Sequence, residues 1–446
     1  MFSPDDISYH IVSLGCSKNL VDSERINGGM SAAGFRASAA AESADIVIIN
    51  TCGFIEDAKR ESIDAILQAA DLKDDSTTCA EGAPLRAGAR SFPKKLAVVG
   101  CLSKRYREDL ARDMPEIDFL YGVVDDDLVP SLCRAMGIRP AAAGRAKKPI
   151  EEGLPYRYIK ISDGCSNLCS YCAIPLIRGP HVPFPPDAIM DDVRAAVDGG
   201  AKELVMVAQD TAAYRHGRTG LADLVYDAAR VPGVEWIRLM YCHPDHIDRS
   251  IIELVRDCPA VVKYLDIPFQ HANGEILASM GRKGNAASYL ALVETLRAEI
   301  PSIRIRSTFM TGYPGEGERA HRALADFLKS ARLDKVGFFT YSPEEDTPAA
   351  GLGAQVPHKT RRSRYRALMR IQKNISLGRM GALVGATLRV LVEERIDERT
   401  WCGRSEYDAP EVDGVFYLTA DFAEVNTIVS AKVTDSLEYD LIGVLA

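Results

Sequence analysis

No apolar run in the 446 residues approaches the length that spans a bilayer. The first seven residues carry two aspartates and no basic cluster, so no secretory signal is expected there. A disulfide framework is also missing, because the eleven cysteines are odd in number and scattered through a long chain. These absences point to a reducing, cytoplasmic setting, in which cysteines are metal ligands or small buried apolar residues. Net positive charge is lacking too. The formal charge is −8, which does not favour generic nucleic-acid binding. With 47 % apolar and 26 % charged residues, the composition is that of a globular protein. The length suits about two to four domains.

What the chain does concentrate is Cys165-Ser166-Asn167-Leu168-Cys169-Ser170-Tyr171-Cys172. It follows an apolar run, 156–161, and then Ser162-Asp163-Gly164, the pattern of a strand that stops and opens into a loop. Three thiolates on one short loop can converge on a point, and thiolates select iron–sulfur clusters, zinc or copper(I). A structural zinc site closes with four ligands. Here no fourth cysteine follows, and the nearest histidine, His181, lies beyond two prolines. Three ligands suit a 4Fe-4S cluster with one iron open to a small molecule; a zinc knot is the other reading. The C-x3-C-x2-C spacing, with Tyr171 before the last cysteine, resembles the radical S-adenosylmethionine (SAM) enzymes. The resemblance implies that Cys165, Cys169 and Cys172 hold a SAM-binding cluster, with Tyr171 beside SAM.

Upstream, short β-branched runs at 9–14, 45–50 and 96–100 alternate with helical stretches at 19–33, 55–72 and from 103. That alternation predicts a parallel sheet with right-handed crossovers. Ligands of open parallel sheets gather beyond the carboxyl ends of the strands. Cys16, Cys52 and Cys101 each fall there, in three successive units. Any one of them alone reads as a buried loop cysteine. Three in the same placement read as a second three-thiolate site. Cys79, Cys133, Cys242, Cys258 and Cys402 share no such placement and read as structural or incidental, Cys79 within a polar insertion at 73–93.

The runs Ser13-Leu14-Gly15-Cys16-Ser17-Lys18-Asn19-Leu20-Val21-Asp22-Ser23-Glu24 and Asn50-Thr51-Cys52-Gly53-Phe54-Ile55 resemble the amino-terminal domain of the methylthiotransferases, which attach a methylthio group to an unactivated carbon. The transfer-RNA branch usually has Gln-Met-Asn after the first cysteine. Ser17-Lys18-Asn19 is closer to the Pro-Lys-Asn of the branch that modifies a ribosomal protein. The resemblance implies an auxiliary 4Fe-4S cluster on Cys16, Cys52 and Cys101 that carries the sulfur.

From residue 156, six strand-like runs alternate with helical stretches: 156–161, 203–208, 236–241, 262–267, 304–310 and 336–341. Six units predict an open (β/α)6 barrel with its chemistry at the strands' carboxyl ends. Gln209-Asp210, His243, Gln270-His271 and 312–316 follow those strands and together read as a pocket for SAM and substrate. Arg306 and Thr308 share one face of the fifth strand. Arg306 is either a clamp for the SAM carboxylate or part of a buried ion pair. Arg178, in Cys172-Ala-Ile-Pro-Leu-Ile-Arg178-Gly179, is either an anion clamp or a surface ion pair. That stretch, with Tyr264-Leu-Asp-Ile-Pro-Phe-Gln-His271 and Phe339-Thr-Tyr-Ser-Pro-Glu-Glu345, again resembles the methylthiotransferases. The SAM contacts expected on these grounds are Tyr171, Gln209, Gln270 and Arg306.

A basic helical connector is expected at 361–379, then short strands at 388–392, 415–418, 427–433 and 441–445 with a loop at 403–413. The pattern predicts a small β-barrel and resembles the TRAM domain, which often grips RNA. From Thr387 on there are five basic and thirteen acidic residues, an excess that equals the whole formal charge. Such a surface repels a bare RNA backbone and attracts a basic protein, or it serves solubility alone.

The expected fold is therefore α/β multidomain: a small parallel α/β domain at 7–140, a radical SAM core at 151–377 and a TRAM-like barrel at 380–446. The resemblance implies two 4Fe-4S clusters, SAM, a reductant protein and, as substrate, the β-carbon of an aspartate in ribosomal protein S-twelve, met free or on the small subunit. Ser17-Lys18-Asn19, the acidic tail and Asp408-Ala-Pro-Glu-Val-Asp413 carry the choice of branch. A transfer-RNA adenosine methylthiotransferase is the alternative. An iron–sulfur carrier without catalysis is a more distant one, and it would need neither the polar rim nor the six-strand layout. No residue is expected to act as general acid or base, because a saturated C–H bond offers no proton acidic enough for a His or Glu base, and a cofactor must carry the radical that opens it.

Overall fold

The computed structural model describes residues 3–77, 92–141, 147–151 and 153–446. Cys79 and most of the insertion around it lie outside the described residues. The chain forms two compact units, Met1–Glu152 with Cys172–Gly179, and Gly153–Tyr171 with Pro180–Ala446.

The first unit is a five-stranded parallel sheet in the order Arg36–Ala37, Ser8–Ser13, Ile46–Thr51, Lys95–Gly100, Phe119–Leu120. Its central strand, Ile-Val-Ile-Ile-Asn-Thr, is buried along its whole length, as a strand covered on both faces must be. Alternate residues serve opposite faces. Ile46 and Ile48 pack with Ile26, Met30, Leu128 and Leu132 from the helices Ser17–Ala32 and Leu128–Met136. Val47 and Ile49 pack with Ile66, Leu102 and Leu110 on the other side. The strand order reverses direction between Ser8–Ser13 and Ile46–Thr51, which makes their carboxyl ends the switch point where doubly wound sheets take ligands. The two edge strands are of two residues each, too short to register as runs in the sequence.

The second unit holds six parallel strands in chain order: Tyr156–Lys160, Glu203–Val207, Trp236–Leu239, Val261–Asp266, Arg304–Thr311 and Lys335–Thr340. Among the described residues the first and last do not pair, so the barrel is open, as the count of six units predicts. Helices between the strands cover one large apolar core. Side chains cap the starts of two of these helices: Asp248 accepts from Ile251 N–H, and Asn285 from Ala287 and Ser288 N–H. The connector is a helix, His358–Gly381. No helix among the described residues is long and apolar enough to cross a membrane.

The same unit ends in a closed five-stranded barrel, in the order Thr387–Arg395, Thr400–Ser405, Phe416–Thr419, Leu441–Leu445, Ile428–Ser436. The fourth strand in sequence lies beside the first, a Greek-key arrangement. The strand Thr400–Ser405 is not among the four runs expected for the barrel, and its second half occupies the start of the loop expected at 403–413. It escapes pattern reading because its buried positions include Gly403, Arg404 and Ser405 rather than alternating apolar residues.

Arg404 is buried because it reaches Glu203 of the six-stranded sheet, 2.7 Å away, while also pairing at 2.7 Å with Glu393 on the neighbouring barrel strand. Glu203 also pairs with Arg238 at 2.6 Å, with neither side chain exposed. Around this pair, residues 406–413 dock under the sheet. Asp408 pairs with Lys335, and Asp413 accepts from Tyr264 Oη at 2.7 Å and lies 3.5 Å from Arg306. Glu411 accepts from Tyr156 Oη at 3.1 Å. The acidity of the tail is thus partly turned inward, against basic residues of the sheet.

Burial would raise the Glu203 carboxyl, but the guanidiniums of Arg238 and Arg404 outweigh it and hold it below its ordinary range. A depressed carboxyl contributes stability above the unfolded value of about 4.3 and loses it as pH falls through the folded one. Glu203→Gln leaves two buried guanidiniums without their shared charge, an expected loss of about 3–5 kcal/mol. Both tryptophans of the chain, Trp236 and Trp401, lie in this unit. Their fluorescence in urea should show a lower midpoint for the variant, with a flatter dependence of stability on pH below about 5.

Candidate functional site

The carboxyl ends of three adjacent strands in the first unit carry Cys16, Cys52 and Cys101. Two glycines make room for them to approach. A Cβ on Gly15 would lie 2.6 Å from Cys52 Cβ and 2.9 Å from its Sγ, and one on Gly53 would lie 2.8 Å from Leu102 Cα. The thiols sense one another. Cys52 is pushed up to about 12 by burial first, and further by charge on Cys16 and Cys101. Cys101 is raised by burial above all. Cys16 is exposed to solvent; the protein packed around it would raise its thiol as well, but Lys18, the Asn19 N–H and Arg178 together bring it below the ordinary thiol range. A cation beside clustered thiols stabilises the thiolate forms that metal ligation needs. The donors are soft sulfurs throughout, which fits an iron–sulfur cluster.

The cation shared by all three thiols comes from the segment Cys172–Gly179. The Arg178 side chain is 2 % exposed and donates to Asp22 Oδ2 at 2.9 Å and Asn19 Oδ1 at 2.7 Å. It is therefore buried beside the thiols and not the surface ion pair that is commoner for arginine. Ala173 and Ile177 of the same segment pack on Cys101. Asn19 is the hub: its Nδ2 donates to Leu14 O at 3.0 Å and Thr51 O at 2.9 Å, tying two strand ends together. Its Oδ1 also lies 3.7 Å from Cys101 Sγ. The motif Ser17-Lys18-Asn19 contains this residue, yet its role depends on contacts 32 and 82 positions away.

In the second unit, the loop with Cys165 and Cys169 opens from the first strand of the six. Ser170 anchors it: its N–H donates to Met280 O at 3.0 Å, and its hydroxyl to Ser279 O at 2.8 Å, with Tyr313 Oη also 2.8 Å away. Asn167 donates to Asp210 Oδ2 at 2.7 Å. Arg282, buried and unforeseen from the sequence, donates to Pro268 O at 2.6 Å and lies 3.8 Å from Cys169 Sγ. Burial raises the Cys165 thiol despite the Asn167 N–H.

Asp210 ties this loop to the third strand's end. It pairs with His246 Nδ1 at 2.6 Å and accepts from His243 N–H at 3.2 Å. His246 is raised chiefly by that hydrogen bond. His243 is pushed down to about 3 by burial and then by Arg282, so it is neutral at ordinary pH. Leu168, Tyr241 and Gln270 all adopt positive φ, 48°, 60° and 68°, in the cysteine loop and after the third and fourth strands. Each such residue costs about 1 kcal/mol or more, and clustering of this strain marks functional loops.

The expected SAM contacts divide. Gln209 and Gln270 each have a side-chain oxygen that is buried and has no hydrogen-bond partner among the described residues. Such orphaned acceptors fit a polar ligand. Tyr171 is half-buried against the apolar core. Arg306 is bound to protein carboxylates, Asp266 at 3.1 Å and Asp413 at 3.5 Å. Of its two readings the structure holds the buried ion pair, so Arg306 is not carried forward as a SAM clamp. His271 and Glu316, expected on the rim, are fully buried and face each other at 3.7 Å. Glu316 also accepts from Gly312 N–H and pairs with Arg364, which makes it a lock between the fifth strand and the connector helix. Cys133, Cys242 and Cys258 are buried in the apolar cores, and Cys402 is half-buried.

Comparison with known proteins joins these observations. The model of the Uncharacterized protein family UPF0004 matches residues 8–122, that of the Radical SAM superfamily 159–328, and that of the TRAM domain 384–445. The chain is similar to the ribosomal protein uS12 methylthiotransferase RimO of Desulfitobacterium hafniense (strain Y51), 39 % identical over 97 % of both chains. It is 42 % identical to the protein of that name from Desulforudis audaxviator (strain MP104C), over 97 % of this chain and 95 % of the relative. Among solved structures it resembles the radical S-adenosylmethionine methyltransferase TsrM of Kitasatospora setae, solved with a SAM analogue. That match has a TM-score of 0.55, 14 % identity, and covers 77 % of this chain and 74 % of the other, a likeness of fold alone. Identity of this level along nearly the whole length shows that the chain belongs to the ribosomal protein uS12 methylthiotransferases, enzymes of the radical SAM superfamily.

Proposed function

We propose that the chain adds a methylthio group to the β-carbon of an aspartate in ribosomal protein S-twelve. The observation that carries this reading is the convergence of Cys16, Cys52 and Cys101 at three neighbouring strand ends, in a chain that also has the cysteine loop of the radical SAM proteins. One three-thiol site serves a radical SAM enzyme. A second is what an enzyme needs if it also delivers sulfur. Cys165, Cys169 and Cys172 would hold the SAM-binding 4Fe-4S cluster, and Cys16, Cys52 and Cys101 the auxiliary one. When bound, these clusters and SAM supply the one-electron chemistry that opens an unactivated C–H bond and the sulfur and methyl group that fill it.

The chain's own residues position and shield. Arg178 offsets thiolate charge at the auxiliary site. Ser170, Tyr313 and Asn167 fix the cysteine loop, and the free amide oxygens of Gln209 and Gln270 offer acceptors to SAM. Asp210 links the cysteine loop, through Asn167, to neutral His243 and to His246. The transfer-RNA alternative is not favoured by the relatives' names. Exposed acids of the barrel, Glu394, Asp397, Glu398, Asp421 and Glu424, suit a basic ribosomal protein rather than a phosphate backbone. A one-electron reductant protein and a cytoplasmic location complete the reading.

Anaerobically purified protein should carry about eight irons, falling to about four in the variant Cys16→Ala/Cys52→Ala/Cys101→Ala. Arg178→Met should move iron content the same way while the cluster on the cysteine loop is retained. Incubation with SAM, a reductant and sulfide, offering S-twelve and transfer RNA together, should show by mass spectrometry a methylthio gain on the protein. A gain on RNA alone would refute the choice of substrate.

A further inference from the structure

The helix His358–Gly381 carries eight lysines and arginines and no carboxylate in its 24 residues. Its cations face two ways. Inward, Arg361 donates to Val356 O at 2.7 Å and Tyr341 O at 2.6 Å, Arg364 pairs with Glu316 at 3.0 Å, and Arg379 donates to Asp334 at 2.8 Å. At the far end Lys373 meets Glu438 at 2.5 Å. Outward, Lys359, Arg362, Arg366 and Arg370 are exposed, and among the described residues none of them has an ion pair or side-chain hydrogen bond. Positions 362, 366 and 370 form one line, about 6 Å per step along the helix, and Lys359 extends it.

Elsewhere the chain gives exposed helical arginines a carboxylate one turn away: Arg60 with Glu56, Arg194 with Asp191, Arg230 with Asp227, Arg249 with Glu253. Here like charges follow one another at that spacing, an arrangement that weakens a helix. Helix stability therefore does not account for the row.

We infer that this row is a docking face for RNA. Guanidiniums bind phosphate oxygens through paired donors, and a regular file of them matches a regular file of phosphates. Charge complementarity selects a polyanion. The proposed substrate selects its source, because a ribosomal protein within its subunit is surrounded by RNA; to that extent the inference rests on the function proposed above. The RNA contact thus falls on the connector helix and not on the acidic barrel that follows it.

The test uses full-length protein with its clusters, RNA extracted from small ribosomal subunits, and a salt titration of affinity. Each phosphate contact contributes about 0.7–0.9 to the slope of log K against log salt. Arg362→Gln/Arg366→Gln/Arg370→Gln should lower that slope by about 2–3 and weaken binding in low salt by about tenfold or more. A control, Arg194→Gln/Arg230→Gln, should leave both unchanged, and methylthiolation of free S-twelve should be equal in wild type and the triple variant. No RNA binding by wild type, an unchanged slope in the triple variant, an equal loss in the control, or selective loss of binding to polyglutamate would each overturn the RNA face. If wild type adds no methylthio group to S-twelve while the slope still falls, the proposed substrate fails and the RNA face stands.

Discussion

A buried guanidinium–carboxylate pair, Arg178 with Asp22, is the contact on which the thiol end of the first unit depends. The two residues are 156 positions apart, and their side chains are almost fully enclosed. A charge pair of that kind stabilises little if judged against apolar residues of the same shape, but removing one partner leaves a buried charge. Here the pair does more than close a loop. It draws Cys172–Gly179 onto the carboxyl ends of the first sheet, sets Asn19 between two strand ends, and brings a fixed positive charge to three thiols. The lowered Cys16 and the raised Cys52 and Cys101 are consequences of the same geometry, with different shares of burial and cation.

The second unit separates its tasks by strand polarity. The cysteine loop, Gln209, Asp210, His243 and Gln270 follow the carboxyl ends of the parallel strands, where backbone strain also gathers. The barrel's residues 406–413 take the other side, where Glu203, Arg238, Tyr264 and Lys335 receive them. Both ends of an open barrel need closure, and an acidic loop against basic sheet residues closes one. That arrangement explains Arg306. Its strand position looks inward, as the alternation predicts, but the inward space at that level is filled by Asp266 and Asp413.

The layout of the chain was readable from sequence because it rests on local signals: β-branched runs that end in Gly-Cys or Cys-Gly, amphipathic helices between them, and one compact cysteine motif. Nearly all long strands fall within a few residues of the expected positions. What was not readable depends on partners distant in sequence. Thr400–Ser405 is a strand because Arg404 finds Glu203. His271 and Glu316 follow strand ends as a rim residue would, yet they turn into the core because Gly312 and Arg364 satisfy the carboxylate there. Arg282 sits in a polar stretch, Gly281-Arg282-Lys283-Gly284, that reads as an ordinary turn; only the fold places it at Cys169.

Charge is where counting and placing differ most. Thirteen acids against five basic residues in the tail read as one acidic surface, but a surface is defined by which charges remain in water. Asp408, Glu411 and Asp413 are engaged by the sheet, while Glu394, Asp397, Glu398, Asp421 and Glu424 stay exposed. The connector helix shows the converse. The stretch 361–379 was expected as a basic helical connector; in the structure the inward cations each meet an oxygen acceptor, and among the described residues the outward file meets none. A chain of net −8 thus keeps a bare cationic line beside a barrel whose open charges are mostly negative. At physiological salt, with screening over about 8 Å, such zones act separately on whatever approaches. A substrate that combines a basic protein with RNA would meet a complementary charge at each.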